Sequence, residues 1–319
     1  MGDALVDGFL WLQDRAWELV VQPLVYALGF AAYIEDAYTA TGIMLMGAIG
    51  VVAMVALLAP LERLRAVEAP GPWRAVAADV AYTLIHRLGL FGLIAFAFTD
   101  PVEIAFTHLL MAFGLPRGSL LDALPPLRDW PGLELAVYVL VLDFVMYWVH
   151  RGQHGLTAWW ALHALHHSQR HMTLWSNDRN HLLDDALIAL IMVVVGTLVG
   201  LPPAAYAWVA VVLGLVESLS HANARLDFGP VGERLLVSPR YHRAHHAIGD
   251  YTNAEMRSCN FAVLFPVWDM LFGTADFRRD VYPATGIIDD DFGDGLLRQQ
   301  VAGLRRLARL LPGGTARRA

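Results

Sequence analysis

The amino-acid sequence predicts an all-α, polytopic membrane protein with four or five transmembrane helices and a cytosolic helical cap that carries a histidine-rich site. Three observations predict it. The chain is 56% hydrophobic and only 17% charged, where a soluble domain carries about a quarter charged residues. Its mean hydropathy is +0.45, and the apolar excess comes in long runs. Eleven of its 13 histidines fall within residues 150–181 and 221–246.

The elements follow in order. A spanning helix needs about 20 mostly apolar residues. The first 40 residues are acidic, with Asp3, Asp7 and Asp14 and no basic leading stretch, so they do not read as a cleaved signal peptide. Residues 43–60 form the clearest span. Residues 78–98 form a second, interrupted by His86 and Arg87 after Asp79; an ionisable pair inside a span points to function, and placement at the membrane boundary explains it equally. Residues 132–149, carrying Asp143, form a third. Residues 185–201 and 204–220 pair as a hairpin with the helix breakers Pro202 and Pro203 at its tip. Residues 17–34 and 101–115 are apolar but shorter or more mixed, and read as interfacial or partly inserted.

Arginine sets the orientation, because basic residues of short loops stay in the cytosol. Loop 61–77 holds Arg63, Arg65 and Arg74, loop 150–182 holds Arg151, Arg170 and Arg179, and thirteen more follow residue 220. Threading five spans puts all of these, and every clustered histidine, on one side. Three regions result: an N-terminal membrane region, 1–131; a catalytic region, 132–275; and a cytosolic C-terminal tail, 276–319. In the tail Leu297, Val301, Leu304, Ala308 and Leu311 oppose Arg298, Arg305, Arg306 and Arg309. That is either a basic amphipathic helix on the membrane surface or a solvated helix packing on its own domain.

Composition also excludes. All 23 basic residues are arginine, so no lysine can form a Schiff base, and the single Cys259 provides neither an internal disulfide nor a thiolate metal site. The net charge of −7 is unevenly placed, and nothing in the chain points to a nucleic-acid partner.

The histidines are spaced for ligation. Imidazole is the commonest metal-ligating side chain, and a helix turns about 100° and rises about 1.5 Å per residue. His150 and His154 therefore lie about 40° apart on one face. His163, His166 and His167 fall within an arc of about 100°, and His242, His245 and His246 repeat it. His221, closing the hairpin, can face the same centre. Nine imidazoles exceed the four ligands of one zinc, so they imply two metals, or one metal and spectators. The sequence contains no His-Glu-x-x-His, which weakens a metalloprotease reading. Imidazole also suits iron with open positions for oxygen chemistry.

Around these histidines, Asp143 is placed to accept from His150 or from Tyr147. Asp178, Asp184, Asp185 and Asp269 are similar candidates for orienting ligands. Trp159 and Trp160 read as interfacial anchors, Asn180 and Asn223 as ligand-orienting or capping residues. His171 reads as a surface loop residue, and His108 falls on the opposite side.

The ordered motifs carry a resemblance. Asp143-x3-Tyr147-Trp148-x-His150-Arg151-x2-His154, Trp160-x2-His163-x2-His166-His167-Ser168, Arg179-x-His181, His221-x-Asn223, Ser238-Pro239-x2-His242-Arg243-x-His245-His246 and Trp268-Asp269-x2-Phe272-Gly273-Thr274 resemble the fatty acid hydroxylase/sterol desaturase superfamily over roughly residues 135–275. The resemblance implies an integral membrane enzyme with a histidine-rich di-metal site holding two Fe ions, and with O2 as co-substrate. It implies His150, His154, His163, His166, His167, His242, His245 and His246 as metal-binding catalytic residues, with His221 a ninth ligand. Some family members place a further histidine four residues before His221. Here it is Glu217, so either Glu217 ligates or the coordination number falls by one. His181 is a candidate tenth ligand.

The expected function is an O2-dependent di-iron hydroxylase or desaturase acting on C–H bonds of a sterol-like, fatty acyl or carotenoid membrane lipid. The chain has no GxGxxG fingerprint and no cysteine set for an iron–sulfur cluster. Electrons therefore come from an external ferredoxin or cytochrome b5-like donor with its reductase. The expected location is a bacterial inner membrane, or the endoplasmic reticulum in a eukaryote. Rival readings are a membrane hydrolase using zinc or another di-metal centre, and a non-catalytic metal-binding membrane protein.

Overall fold

The computed structural model describes residues 2–115, 124–125, 129–200, 203–248, 259–278, 282–288 and 290–310. Its regular structure is helical, and among the described residues the one β interaction is an isolated bridge between Ala247 and Thr285. Helix α1 (Gly2–Ala16) leads through a π-turn, Trp17–Val21, into the short α2 (Gln22–Ala27). The stretch 17–34 is thus broken into pieces, none long enough to span.

Helix α3 (Ile34–Arg65) contains the expected span 43–60 and extends past both its ends. After α4 (Trp73–Arg87) come α5 (Leu90–Ala112), α6 (Pro131–Gly155) and, later, α8 (Leu182–Val199). Helices α3, α5, α6 and α8 are long and apolar enough to cross a membrane, which makes the chain an integral membrane protein. Val52, Leu57, Ile94, Phe96 and Leu198 on these helices point outward, where lipid satisfies them and water does not. A shorter apolar stretch, Ala210–His221, belongs to α9 (Pro203–His221). The hairpin tip at Pro202 lies outside the described residues.

The expected span 78–98 is corrected. It straddles α4 and α5, which break at Gly89 in the left-handed conformation (φ 77°). The physical reason is the pair at the end of α4. His86 bonds Asp185 (2.9 Å), and Arg87 donates to Asp178 (2.8 Å), Ser218 Oγ (2.9 Å) and the Gly214 carbonyl (3.0 Å). The charges are met by Asp178 in the loop before α8, by Asp185 on α8 and by groups of α9 instead of being carried across. Residues 101–112, expected to be interfacial, continue α5, with Pro101 inside the helix.

The cap is built from α7 (Thr157–His167), α10 (Gly229–Leu235), α11 (Pro239–His245), α12 (Val267–Phe272) and α13 (Leu296–Ala308). Only Leu156 separates α6 from α7. Tyr82, Ala164, Leu165, Phe292 and Ala302 form a core between α4, α7 and α13, and Met54, Leu58 and Leu174 form another beside α3. Helix α13 therefore packs on its own domain. It does so through Gln299, Gln300, Ala302 and Gly303, while Leu297 and Leu304 of the expected apolar stripe remain exposed. The polar side is buried because Gln300 donates to Tyr82 Oη and the Asn180 carbonyl, and its Oε1 accepts from Leu182 N. Leu311 lies outside the described residues.

Candidate metal centre

Four helices deliver the clustered imidazoles. His150 and His154 end α6, His163, His166 and His167 end α7, His221 ends α9, and His242, His245 and His246 lie on and just after α11. Helix α11 starts where it does because Ser238 caps it, its Oγ accepting from Tyr241 N at 3.1 Å, with Pro239 in the first turn. Glu233 accepts from Ser238 Oγ (2.6 Å) and Arg240 Nε (2.7 Å), fixing the cap to α10.

Eight rings sort into two quartets. One ring nitrogen from each of His150, His154, His167 and His245 lies within 4.8 Å of the others, and His166, His221, His242 and His246 form a second such group. All but His154, which is half-buried, are buried. The quartets adjoin: His167 and His246 stack with ring centroids 4.2 Å apart and planes at 17°.

Three of the outer ring nitrogens are tied down, while Nδ1 of His166, His242 and His246 is buried without a protein partner. His150 Nδ1 donates to the Phe261 carbonyl, His245 Nδ1 to the Cys259 carbonyl and His221 Nδ1 to the Glu217 carbonyl, each at 2.8 Å. A neutral imidazole that donates from Nδ1 presents a lone pair at Nε2, so these three point lone pairs inward. Burial, then the neighbouring imidazoles, holds His166, His167, His242 and His246 well below the ordinary histidine pKa. Burial brings His245 down to about 3. The rings are neutral, which is the ligating form.

A metal fits this arrangement. Nitrogens about 2.1 Å from one ion and at right angles stand about 3.0 Å apart. The Nε2 separations His154–His167 (3.1 Å), His167–His245 (3.2 Å), His166–His221 (3.1 Å), His221–His242 (2.9 Å) and His242–His246 (3.1 Å) match. Converging lone pairs repel unless a cation lies between them.

His163 belongs to neither quartet. Its ring centroid lies 5.3, 5.1, 5.2 and 5.0 Å from those of His150, His154, His166 and His167, so it faces both groups. Its Nδ1 meets Asp184 Oδ2 at 3.2 Å, and its buried Nε2 has no protein partner. Asp184 also accepts from Trp159 Nε1 (2.6 Å) and Gln153 Nε2 (2.9 Å). Trp159, expected as a membrane anchor, is thus part of the centre's support. Trp160 packs on His154 and His167, with centroids 5.0 and 5.3 Å away.

Two expected ligands lie elsewhere. His181 caps α8, its Nδ1 accepting from Leu183 N (3.1 Å) and its Nε2 meeting the Gln300 carbonyl (2.8 Å). Both of its nitrogens are committed to the α8–α13 junction. Glu217 sits one turn before His221, but its main-chain carbonyl serves His221 while its carboxylate accepts from Asn177 Nδ2 (3.0 Å). The His221 ring claims the carbonyl, and Asn177 holds the carboxylate.

The other candidates are also placed. Asp143 serves neither His150 nor Tyr147. It accepts from Leu264 N (2.9 Å), Phe265 N (3.0 Å) and Trp268 Nε1 (2.8 Å). Asp269 accepts from Phe261 N, Ala262 N, Tyr241 Oη and Thr274 Oγ1. Asp178 and Asp185 hold Arg87 and His86. Asn223 accepts from Val67 N and Glu68 N, bracing the loop after α3, and His171 lies 4.0 Å from Glu68. Sequence reasoning missed Phe261, whose ring packs against His150, His154 and His245 at 5.8, 5.3 and 5.8 Å. It also missed Gln153, whose place beside His154 is the one available signal.

Comparisons with known proteins find similarity to lipid hydroxylases and monooxygenases. Residues 135–274 match the fatty acid hydroxylase family model. The chain is 27% identical to ornithine lipid hydroxylase OlsE of Rhizobium tropici, over 69% of this chain and 64% of that one. It is 30% identical to human alkylglycerol monooxygenase over 46% of this chain and 32% of that protein. It is 26% identical to methylsterol monooxygenase 1-3 of Arabidopsis thaliana over 50% and 51%. The chain thus spans less than two thirds of the length of each. No solved structure gives a significant match.

Proposed function

We propose that this chain, whose residues 135–274 match the fatty acid hydroxylase family model, is an O2-dependent membrane lipid oxidase whose two histidine quartets hold a pair of irons. The single observation that carries the reading is the two adjoining quartets, imidazole-only, each with four ring nitrogens within 4.8 Å of one another. His150, His154, His167 and His245 would hold one iron and His166, His221, His242 and His246 the other, with His163 facing both. A bound iron pair supplies the O2-dependent oxidation of an unactivated C–H bond, chemistry that no side chain performs alone.

The chain's own residues do the rest. The Phe261, Cys259 and Glu217 carbonyls and the Asp184 carboxylate orient the rings, as such outer partners do in metal sites. Phe261 and Trp160 cover the rings with apolar surface and keep bulk water off them. Hydroxylation balances as C–H, O2, two electrons and two protons giving C–OH and water. Desaturation uses the same electrons and removes two hydrogens.

The substrate is a membrane lipid. The relatives are named for ornithine lipid, alkylglycerol and methylsterol chemistry, and a sterol-like, fatty acyl or carotenoid lipid fits the same apolar surroundings. The electrons come from a ferredoxin or cytochrome b5-like donor with its reductase, which meets the arginine-rich face in the cytosol of a bacterial inner membrane or, in a eukaryote, of the endoplasmic reticulum. Residues 132–275 act as the catalytic unit.

The test is metal and oxygen analysis of the purified protein. Two irons per chain and lipid-dependent O2 consumption are expected. Zinc with turnover in the absence of O2 would establish a hydrolase instead. Comparing the lipids of a deletion strain with those of its parent then identifies the substrate.

A further inference from the structure

The chain leaving the histidine centre runs directly to an apolar rim. Phe261 holds His150 through its carbonyl and packs against three of the rings. A few residues later the main chain at Leu264 and Phe265, with the Trp268 indole, is bonded to Asp143. Asp143 lies near the middle of the apolar stretch Gly132–Gly155 of α6. The loop is therefore pinned beside the membrane-crossing part of that helix, not above it.

Helix α12 follows, and it is sorted opposite to a helix in water. Asp269 turns inward and is fully buried, while Met270, Leu271 and Phe272 face out, Leu271 with 67% of its surface exposed. Phe272 stacks on Tyr147 (5.4 Å, 19°) and meets Trp148 edge-on at 4.9 Å, so it continues the outer surface of α6. A second element joins it. Val237 N donates to the Leu264 carbonyl at 3.0 Å, which brings the end of α10 alongside. There Val231 and Leu235 are exposed by 70% and 62%, and Leu236 is exposed as well. Six outward apolar side chains thus gather on these two elements, and Phe272 among them borders the outward Trp148 of a spanning helix. Such a patch is a lipid or protein contact surface, and its continuity with α6 selects lipid.

We propose that the α10–α12 rim is immersed in the acyl-chain region of the leaflet on which the cap sits, and that it is the doorway by which a membrane lipid reaches the histidine centre. Immersion stands on the geometry alone; the doorway rests on the reading of the chain as a lipid oxidase.

The experiment places nitroxide spin labels at Leu271→Cys and Leu235→Cys, with Asp294→Cys as the exposed control, in phosphatidylcholine nanodiscs. Cys259 is half-buried and its thiol is pushed up to about 12, so wild-type protein treated with the reagent measures a small background. Power saturation should show both rim labels relaxed several-fold more by O2 than by a water-soluble nickel chelate, and the control the reverse. Nickel-dominated relaxation at both rim sites, in variants that elute as wild type, would overturn immersion and make the patch a surface for a protein partner. The doorway has its own arm. The double variant Leu235→Glu/Leu271→Glu should keep its metal content and lose at least tenfold in turnover of bilayer lipid. Wild-type turnover in that variant would overturn the doorway. A wild-type protein without any lipid turnover would sink the oxidase reading while the labels still decide immersion.

Discussion

His167 and His246 stack face to face, centroids 4.2 Å apart, although one belongs to each quartet, His167 ending α7 and His246 following α11. The contact makes the two groups one centre, so damage to either side reaches the other.

Removing a ring from one quartet should therefore do more than empty a single position. His166→Ala and His245→Ala are each expected to lower bound iron from two toward one or none per chain, and to cost more than about 100-fold in turnover, beyond the loss typical of an outer partner. Plasma mass spectrometry on protein that remains in the membrane fraction measures the first; full metal content in either variant would remove the assignment.

Asp184 gathers His163, Gln153 and Trp159 at one carboxylate. Asp184→Asn keeps the size but weakens the acceptor for three donors. Loss of about 10–100-fold in metal affinity is expected, read by competition with a chelator.

Asp143 accepts three hydrogen bonds from the segment 264–268. Asp143→Ala leaves three donors without an acceptor, each costing about 1–3 kcal/mol when buried. The protein should unfold at a clearly lower temperature in detergent, with Asp143→Asn intermediate between it and wild type.

A Cβ at Gly47 would collide with the main-chain carbonyl of Arg87. Gly47→Ala should push α3 from the α4–α5 junction and cost about 1–3 kcal/mol. Gly8, with nothing near its Cβ position, serves as the control and should tolerate alanine.

The reduction rate by an acidic electron donor should fall as salt is raised from 10 to 200 mM, because screening shortens the reach of the arginine-rich face. Stopped-flow measurement of a salt-independent rate would contradict charge-guided docking.

The histidine set was legible because one residue type recurs at helical spacing, and the rings at 150, 154, 163, 166, 167, 221, 242, 245 and 246 do come together. The supports were less legible. His150 and His245 are oriented by the main-chain carbonyls of Phe261 and Cys259, and every residue has a carbonyl, so sequence carries no mark of it. The span 78–98 misled for a related reason: hydropathy averages over His86 and Arg87, and partners distant in sequence, Asp178 and Asp185, decide that the helix ends there.

The sequence by itself determined the membrane character, the helical class and the identity of the imidazoles that meet, since these follow from hydropathy and a 3.6-residue period. Only the tertiary structure decided how those imidazoles divide between two groups, that Glu217 and His181 turn to other partners, and which loop is pinned beside α6. Those outcomes depend on which donor reaches which acceptor across separate helices, and that competition is settled by packing geometry rather than by any local property of the chain.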